Sequence, residues 1–136
     1  ARATLDEAGQ AFLALGDEVG WARTRIGWLF SSHYVGQGAA ALAVVEPARA
    51  ILVRHDEWLR AAGLCLNAAT VSQEIGNHDQ ALQLYDDALG YFERAQVSDP
   101  TLADAAEIRA AKAQANATMQ TKPLVLGEDQ GEEEWQ

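Results

Sequence analysis

Apolar residues recur along the chain at helical spacing, and the pattern itself returns every forty residues. Ala1, Ala41 and Ala81 share one position of this echo, Leu5, Val45 and Tyr85 a second, Ala8, Ala48 and Ala88 a third, and Phe12, Leu52 and Phe92 a fourth. Agreement in size or apolarity at one fixed offset implies a repeated supersecondary unit, which buries its apolar face by stacking on its own copies. Leu5, Ala8, Phe12 and Leu15 fall three or four residues apart, predicting a helix from Thr4 to Leu15 that Gly16 ends. Asp17 as N-cap opens a second helix to about Tyr34, with Gly36 as terminator. A third runs from about Gly38 to Arg54. Pro47 lies within it and predicts a kink or break, because proline lacks a donor and clashes with the preceding turn at a cost of roughly 3 kcal/mol. Asp56 reads as N-cap of a fourth helix reaching Ile75 before Gly76, and Asn77 with Gln80 as a capping box for a fifth, ending near Ala95. Asp99-Pro100 reads as the start of a sixth helix that fades near Gln120, before Lys122-Pro123. Short turns make successive helices antiparallel. The expectation is an all-α stack of helical hairpins with about six helices.

Composition narrows the class without changing that picture. At 136 residues the chain is one domain's worth of material, and its abundant alanine suits closely packed helices. The net charge is −10, and the five carboxylates Glu128, Asp129, Glu132, Glu133 and Glu134 amount to half of it. Residues 1–121 are therefore read as the helical array, with partial units at both ends, and 122–136 as an acidic, disordered tail. A docking tail for a basic partner is the alternative, and the patch Leu124 to Leu126 is a candidate to pack on the last helix. No stretch clusters Lys or Arg as a phosphate-tracking surface requires, so nucleic acid is not an expected partner. No apolar run approaches twenty residues, so no membrane partner is expected either. Cys65 is the only cysteine, which points to a reducing, cytoplasmic setting. The periodic pattern is already under way at Ala1, as in a piece of a longer chain.

The segment Gly76-Asn77-His78-Asp79-Gln80-Ala81-Leu82, continuing to Tyr85 and Ala88-Leu89, resembles the second half of a tetratricopeptide repeat. That family places a glycine at the turn, a small residue five positions later, then an aromatic, then another small residue. Gly76, Ala81, Tyr85 and Ala88 match all four; Gly36, Ala41 and Ala48 match three, with Val45 where the aromatic belongs. Ala1, Leu5 and Ala8 resemble the end of a unit whose beginning is absent. The resemblance covers residues 1 to 95, and 100 to 120 more loosely. It implies a right-handed superhelix. The forty-residue interval is similar to the longer subtype of large bacterial signalling proteins, in some of which such arrays precede a caspase-like peptidase or a nucleotide-binding switch domain.

In that family the first helix of each hairpin lines the concave surface. Carried over by position, the groove is made by Arg23, Ile26, Gly27, Phe30, His33 and Tyr34 from one unit and by Gly63, Leu66, Asn67, Thr70, Gln73 and Glu74 from the next. Apolar contacts beside hydrogen-bonding groups suit a peptide or a partner helix. Ile26 and Leu66 have an alternative role in packing against the adjoining hairpin. Some relatives clamp a C-terminal carboxylate with lysine and asparagine. Here Asn67 and Lys112 are candidates for two of the five positions, but Ile26, Phe30 and Asn116 depart from the pattern, and tail-carboxylate binding is not expected.

Other chemistry is weaker. Trp21, Trp28 and Trp58 fit packing between helices better than a ligand platform, whereas Trp135 lies in the tail. Cys65 among Gly63, Leu64 and Leu66 behaves as a small hydrophobe rather than a nucleophile served by His78. His33, His55 and His78 are too scattered for a zinc set, and no metal or cofactor is expected. Asp86 and Asp87 point in different directions and read as solvated, and the sequon Asn116-Ala117-Thr118 lies in a helical stretch. The reading is a non-catalytic interaction scaffold. A regulatory segment restraining an effector enzyme elsewhere in a parent chain is the alternative, and uncovered terminal helices make a homodimer conceivable.

Overall fold

The computed structural model describes residues 1–118 and is helical throughout, with no strand among them. The tail at 122–136, with Trp135 and Leu124 to Leu126, lies outside the described residues. Helix α1 spans Arg2–Ala14, α2 Glu18–Tyr34, α3 Gly38–Ala41, α4 Val45–Arg54, α5 Trp58–Glu74 and α6 His78–Ser98. A last helix, α7, is described from 106 to 118.

Four chain reversals share one geometry. Gly16, Gly36, Asp56 and Gly76 all have positive φ, and they fall twenty residues apart. At each the next residue's N–H reaches back to a carbonyl five positions earlier, Asp17 to Phe12, Gln37 to Ser32, Glu57 to Leu52 and Asn77 to Ser72, every bond 2.8 Å long. These are left-handed helix stops that satisfy orphan carbonyls, and glycine favours them because it has no Cβ to clash. Asp56 is thus not the N-cap expected of it. It is the αL residue of the preceding helix, with φ 57°, and Glu57 holds the N-cap position without a side-chain cap bond. Asp17 and Asn77 do cap as expected, accepting from the N–H of Gly20 and Gln80.

Between α3 and α4 the chain tightens into a 3₁₀ turn, Leu42–Val44. Pro47 has no N–H to offer Ala43, so the break falls just upstream and leaves Pro47 in the first turn of α4, where a missing donor is tolerated. A larger departure follows α6. Instead of stopping near Ala95 it continues to Ser98, and α7 begins at 106 rather than at Asp99-Pro100. Asp99 closes a turn, accepting from the Thr101 N–H at 3.1 Å, while Asp104 accepts from the Ala105 N–H at 2.7 Å immediately before α7.

Contacts define the stacking. Arg2 with Ser32, and Leu5 with Arg25, run in opposite order along α1 and α2, so this pair is antiparallel. Trp58 with Tyr91 and Ser72 with Gln80 show the same for α5 and α6. Stacked rods of neighbouring hairpins run parallel: Ile26 meets Asn67 and His33 meets Glu74 between α2 and α5, while between α4 and α6 Val45 shares an opening with Leu84 and Val53 one with Tyr91. The repeated small residues sit where these rods approach. Ala48, Ala81 and Ala88 are completely buried, Ala41 nearly so, with Leu52, Leu64 and Tyr85 sealed beside them. Each such leucine contributes roughly 1.5–3 kcal/mol by leaving water. In α1 the equivalent positions Leu5, Ala8 and Phe12 are half-buried.

Candidate functional site

The parallel pairing of α2 and α5 brings the expected groove residues together. The Asn67 Nδ2 donates to the Ile26 carbonyl at 2.9 Å, the ring of His33 pairs with Glu74, and a Cβ on Gly63 would lie 4.0 Å from Ile26 Cγ2. None of the twelve is sealed. Arg23, Gly27, Tyr34 and Glu74 are exposed, and Ile26, Phe30, His33, Gly63, Leu66, Asn67, Thr70 and Gln73 are partly so. Ile26 and Leu66 also pack against the buried core, so they serve both roles. Some polar groups are already engaged within the fold: the Thr70 hydroxyl donates to the Leu66 carbonyl, and Gln73 Oε1 accepts from the Tyr85 hydroxyl at 3.0 Å.

The α5 side of this groove continues into a trough against α7, whose far wall has no counterpart among the expected residues. Between α5 and the chain entering α7 is an apolar opening of about 790 Å³, floored by Leu59, Ala62, Gly63 and Leu66 and walled by Phe92, Leu102 and Ile108. Further along the same two helices, Thr70, Gln73 and Glu74 face Ala111, Gln114 and Thr118 across a more polar opening. The trough exists because α6 overruns and the following loop delays α7. Gly63 and Leu66 belong to it as well as to the expected groove; Leu59, half-exposed at 49%, lies outside that groove. The spacing of Leu59, Ala62, Gly63 and Leu66 at i, i+3, i+4 and i+7 is its only sequence signal.

The remaining ionic and aromatic groups hold the stack. Arg25, 6% exposed, donates to the Leu5 carbonyl at 2.9 Å and to Asp6 at 3.3 Å. Its guanidinium also lies over Trp28 at 4.7 Å, and Arg2 lies over the same ring at 5.2 Å. Trp58 stacks on Tyr91, with Arg94 over it at 4.8 Å. The three tryptophans of the described residues are therefore packing partners of cations and helices. Asp86 and Asp87 are not simply solvated as expected. Asp87 accepts from Arg49 at 2.7 Å, and Asp86 pairs with Lys112, drawing that lysine toward α6. Burial opposes the Arg49 charge, but Asp87 and Glu46 outweigh it and raise its pKa. Arg54 and then His55 hold Glu18 below the usual carboxylate range.

Cys65 is wholly buried on α5, and that burial pushes its thiol up to about 12, so it stays protonated at neutral pH. A thiol that acts as nucleophile needs the opposite shift. Among the described residues no group of three or more His, Cys, Asp and Glu is placed to hold a metal ion, and no helix is long and apolar enough to cross a membrane. No family model, curated protein or solved structure matches the chain.

Proposed function

We propose that this chain is a non-catalytic interaction module of tetratricopeptide-repeat type, which receives a peptide or helix along α2 and α5 on behalf of a larger cytoplasmic signalling or assembly protein. One observation carries the reading. All twelve groove residues keep solvent-accessible surface, while the repeated small residues Ala48, Ala81 and Ala88 on the alternate helices are fully sealed. Helices α2 and α5 seal one face each, with Ala22, Leu29, Ala61, Leu64, Cys65 and Ala68 buried, and the face left accessible combines apolar anchors with directional polar groups. Phe30 and Leu66 supply the former, Arg23 and Gln73 the latter.

Binding of a fluorescent peptide library, repeated with Phe30→Ala and Arg23→Glu, tests the assignment. Both side chains lie outside the buried core, so melting should change little while affinity falls about tenfold for the truncated anchor. Peptides that bind the two variants and the parent chain equally well place the receptor face elsewhere.

A further inference from the structure

Resting on that reading, we propose that the trough between α5 and α7 receives a cationic amphipathic helix, one with leucine-like anchors flanked by Lys or Arg. The floor suits a helix. Leu59, Ala62, Gly63 and Leu66 form one stripe of α5, with small residues between two large ones, so that a partner's side chain can enter between the leucines. Gly63 is not required by the fold, because a Cβ there would meet only Ile26 Cγ2, at 4.0 Å. The apolar opening beside Leu59 and the polar one beside Glu74 are strung along about 22 Å of α5, the length of some four helical turns. That length exceeds a compact small molecule and matches a helix of about fifteen residues.

The rim selects the sign of the partner. A smaller opening shares Leu59 and Leu102 with the trough and adds Asp56, Glu57 and Asp99, while the trough itself is edged by Asp104 and Glu107. Arg60 neutralises Glu57 and Arg109 neutralises Asp104, each at 2.7 Å, and Arg94 is turned onto Trp58. Asp56, Asp99 and Glu107 have no cationic partner among the described residues. Complementarity therefore favours Lys or Arg, and it disfavours two other occupants. The segment Leu124 to Leu126 carries five carboxylates behind it, and a second copy brings a net charge of −10.

Three synthetic fifteen-residue helices test this on the full chain by fluorescence anisotropy. One has leucines at i, i+4, i+7 and i+11 with lysine elsewhere; the second replaces lysine with glutamate; the third keeps lysine and replaces leucine with serine. The lysine-leucine helix should bind about tenfold more tightly than either other peptide at low salt, with the advantage over the glutamate helix shrinking as salt screens the rim. Leu59→Glu and Gly63→Leu should each weaken it about tenfold, and Glu107→Lys should reduce the preference for lysine over glutamate. Leu59 is half-exposed, so its variant should melt close to the parent chain. Equal binding of the lysine and glutamate helices, or indifference to both trough variants, overturns the proposal. Displacement of the probe by a synthetic peptide of residues 122–136 overturns it in favour of the chain's own tail. Peptide binding lost in Phe30→Ala but kept in Leu59→Glu leaves the scaffold reading intact and removes this one. No binding by these helices or by a random library removes both.

Discussion

The turn at Asp56 gives the sharpest test of the repeat geometry. Four reversals have the same backbone bonds, but three have glycine at the positive-φ position and one has aspartate at φ 57°. An L-residue in this region is strained by about 1–2 kcal/mol, with aspartate near the lower end because its short polar side chain tolerates αL. Asp56→Gly relieves about 1 kcal/mol of that strain, and the freer unfolded chain takes back about 0.5 kcal/mol. The expected net gain is about 0.5 kcal/mol. Gly36→Ala and Gly76→Ala reverse the signs and should destabilise by about 1 kcal/mol each. Nothing lies within 4 Å of a Cβ built on Gly36, so at that site the effect is purely one of backbone conformation. Urea melts followed by helical circular dichroism measure the changes as midpoint shifts at constant slope. A lower midpoint for Asp56→Gly, together with an unchanged one for Gly36→Ala, would refute the assignment of these positions to one shared left-handed stop.

Four further outcomes follow from named residues. Ala88 is fully buried, so Ala88→Leu should lower stability by about 1–3 kcal/mol through overpacking, read from the same melts. Gly63→Ala should do the opposite, gaining about 0.5–1 kcal/mol in helix propensity, because the added methyl makes only ordinary contact with Ile26. Cys65 should resist a thiol reagent at pH 8 until the chain opens, with labelling accelerating in denaturant. Because its folded pKa, about 12, lies above the unfolded value of about 8.5, the stability it contributes is complete below that lower value and is lost as pH rises toward 12. Cys65→Ala should therefore show a shallower alkaline loss of stability than the parent chain.

Much of the architecture was legible because helices announce their apolar faces and glycine announces a left-handed stop. Gly16, Gly36 and Gly76 were read as terminators, and each has positive φ. Asp56 was misread because aspartate is favoured both at N-caps and, more weakly, in αL; only its twenty-residue spacing from the glycines identifies it. Asp99 and Asp104 pose the same problem. Both carry the local signature of a cap, and burial of Ala105 and Ile108 in the core, a tertiary effect, selects the second as the start of α7. The twelve expected groove residues follow from repeat register, and those on α2 and α5 keep accessible surface, but the trough beside Leu59 depends on how far a loop displaces a helix. Such a displacement leaves little trace in periodicity.

The most direct test is a hydrogen-exchange footprint of the full chain with and without a bound peptide. Partner engagement along α2 and α5 predicts slowed exchange in both helices, extending to residues 102–108 if the trough is filled, with α4 unchanged. Protection confined to α4 and the outer face of α6, leaving α5 as in the free chain, would contradict the account.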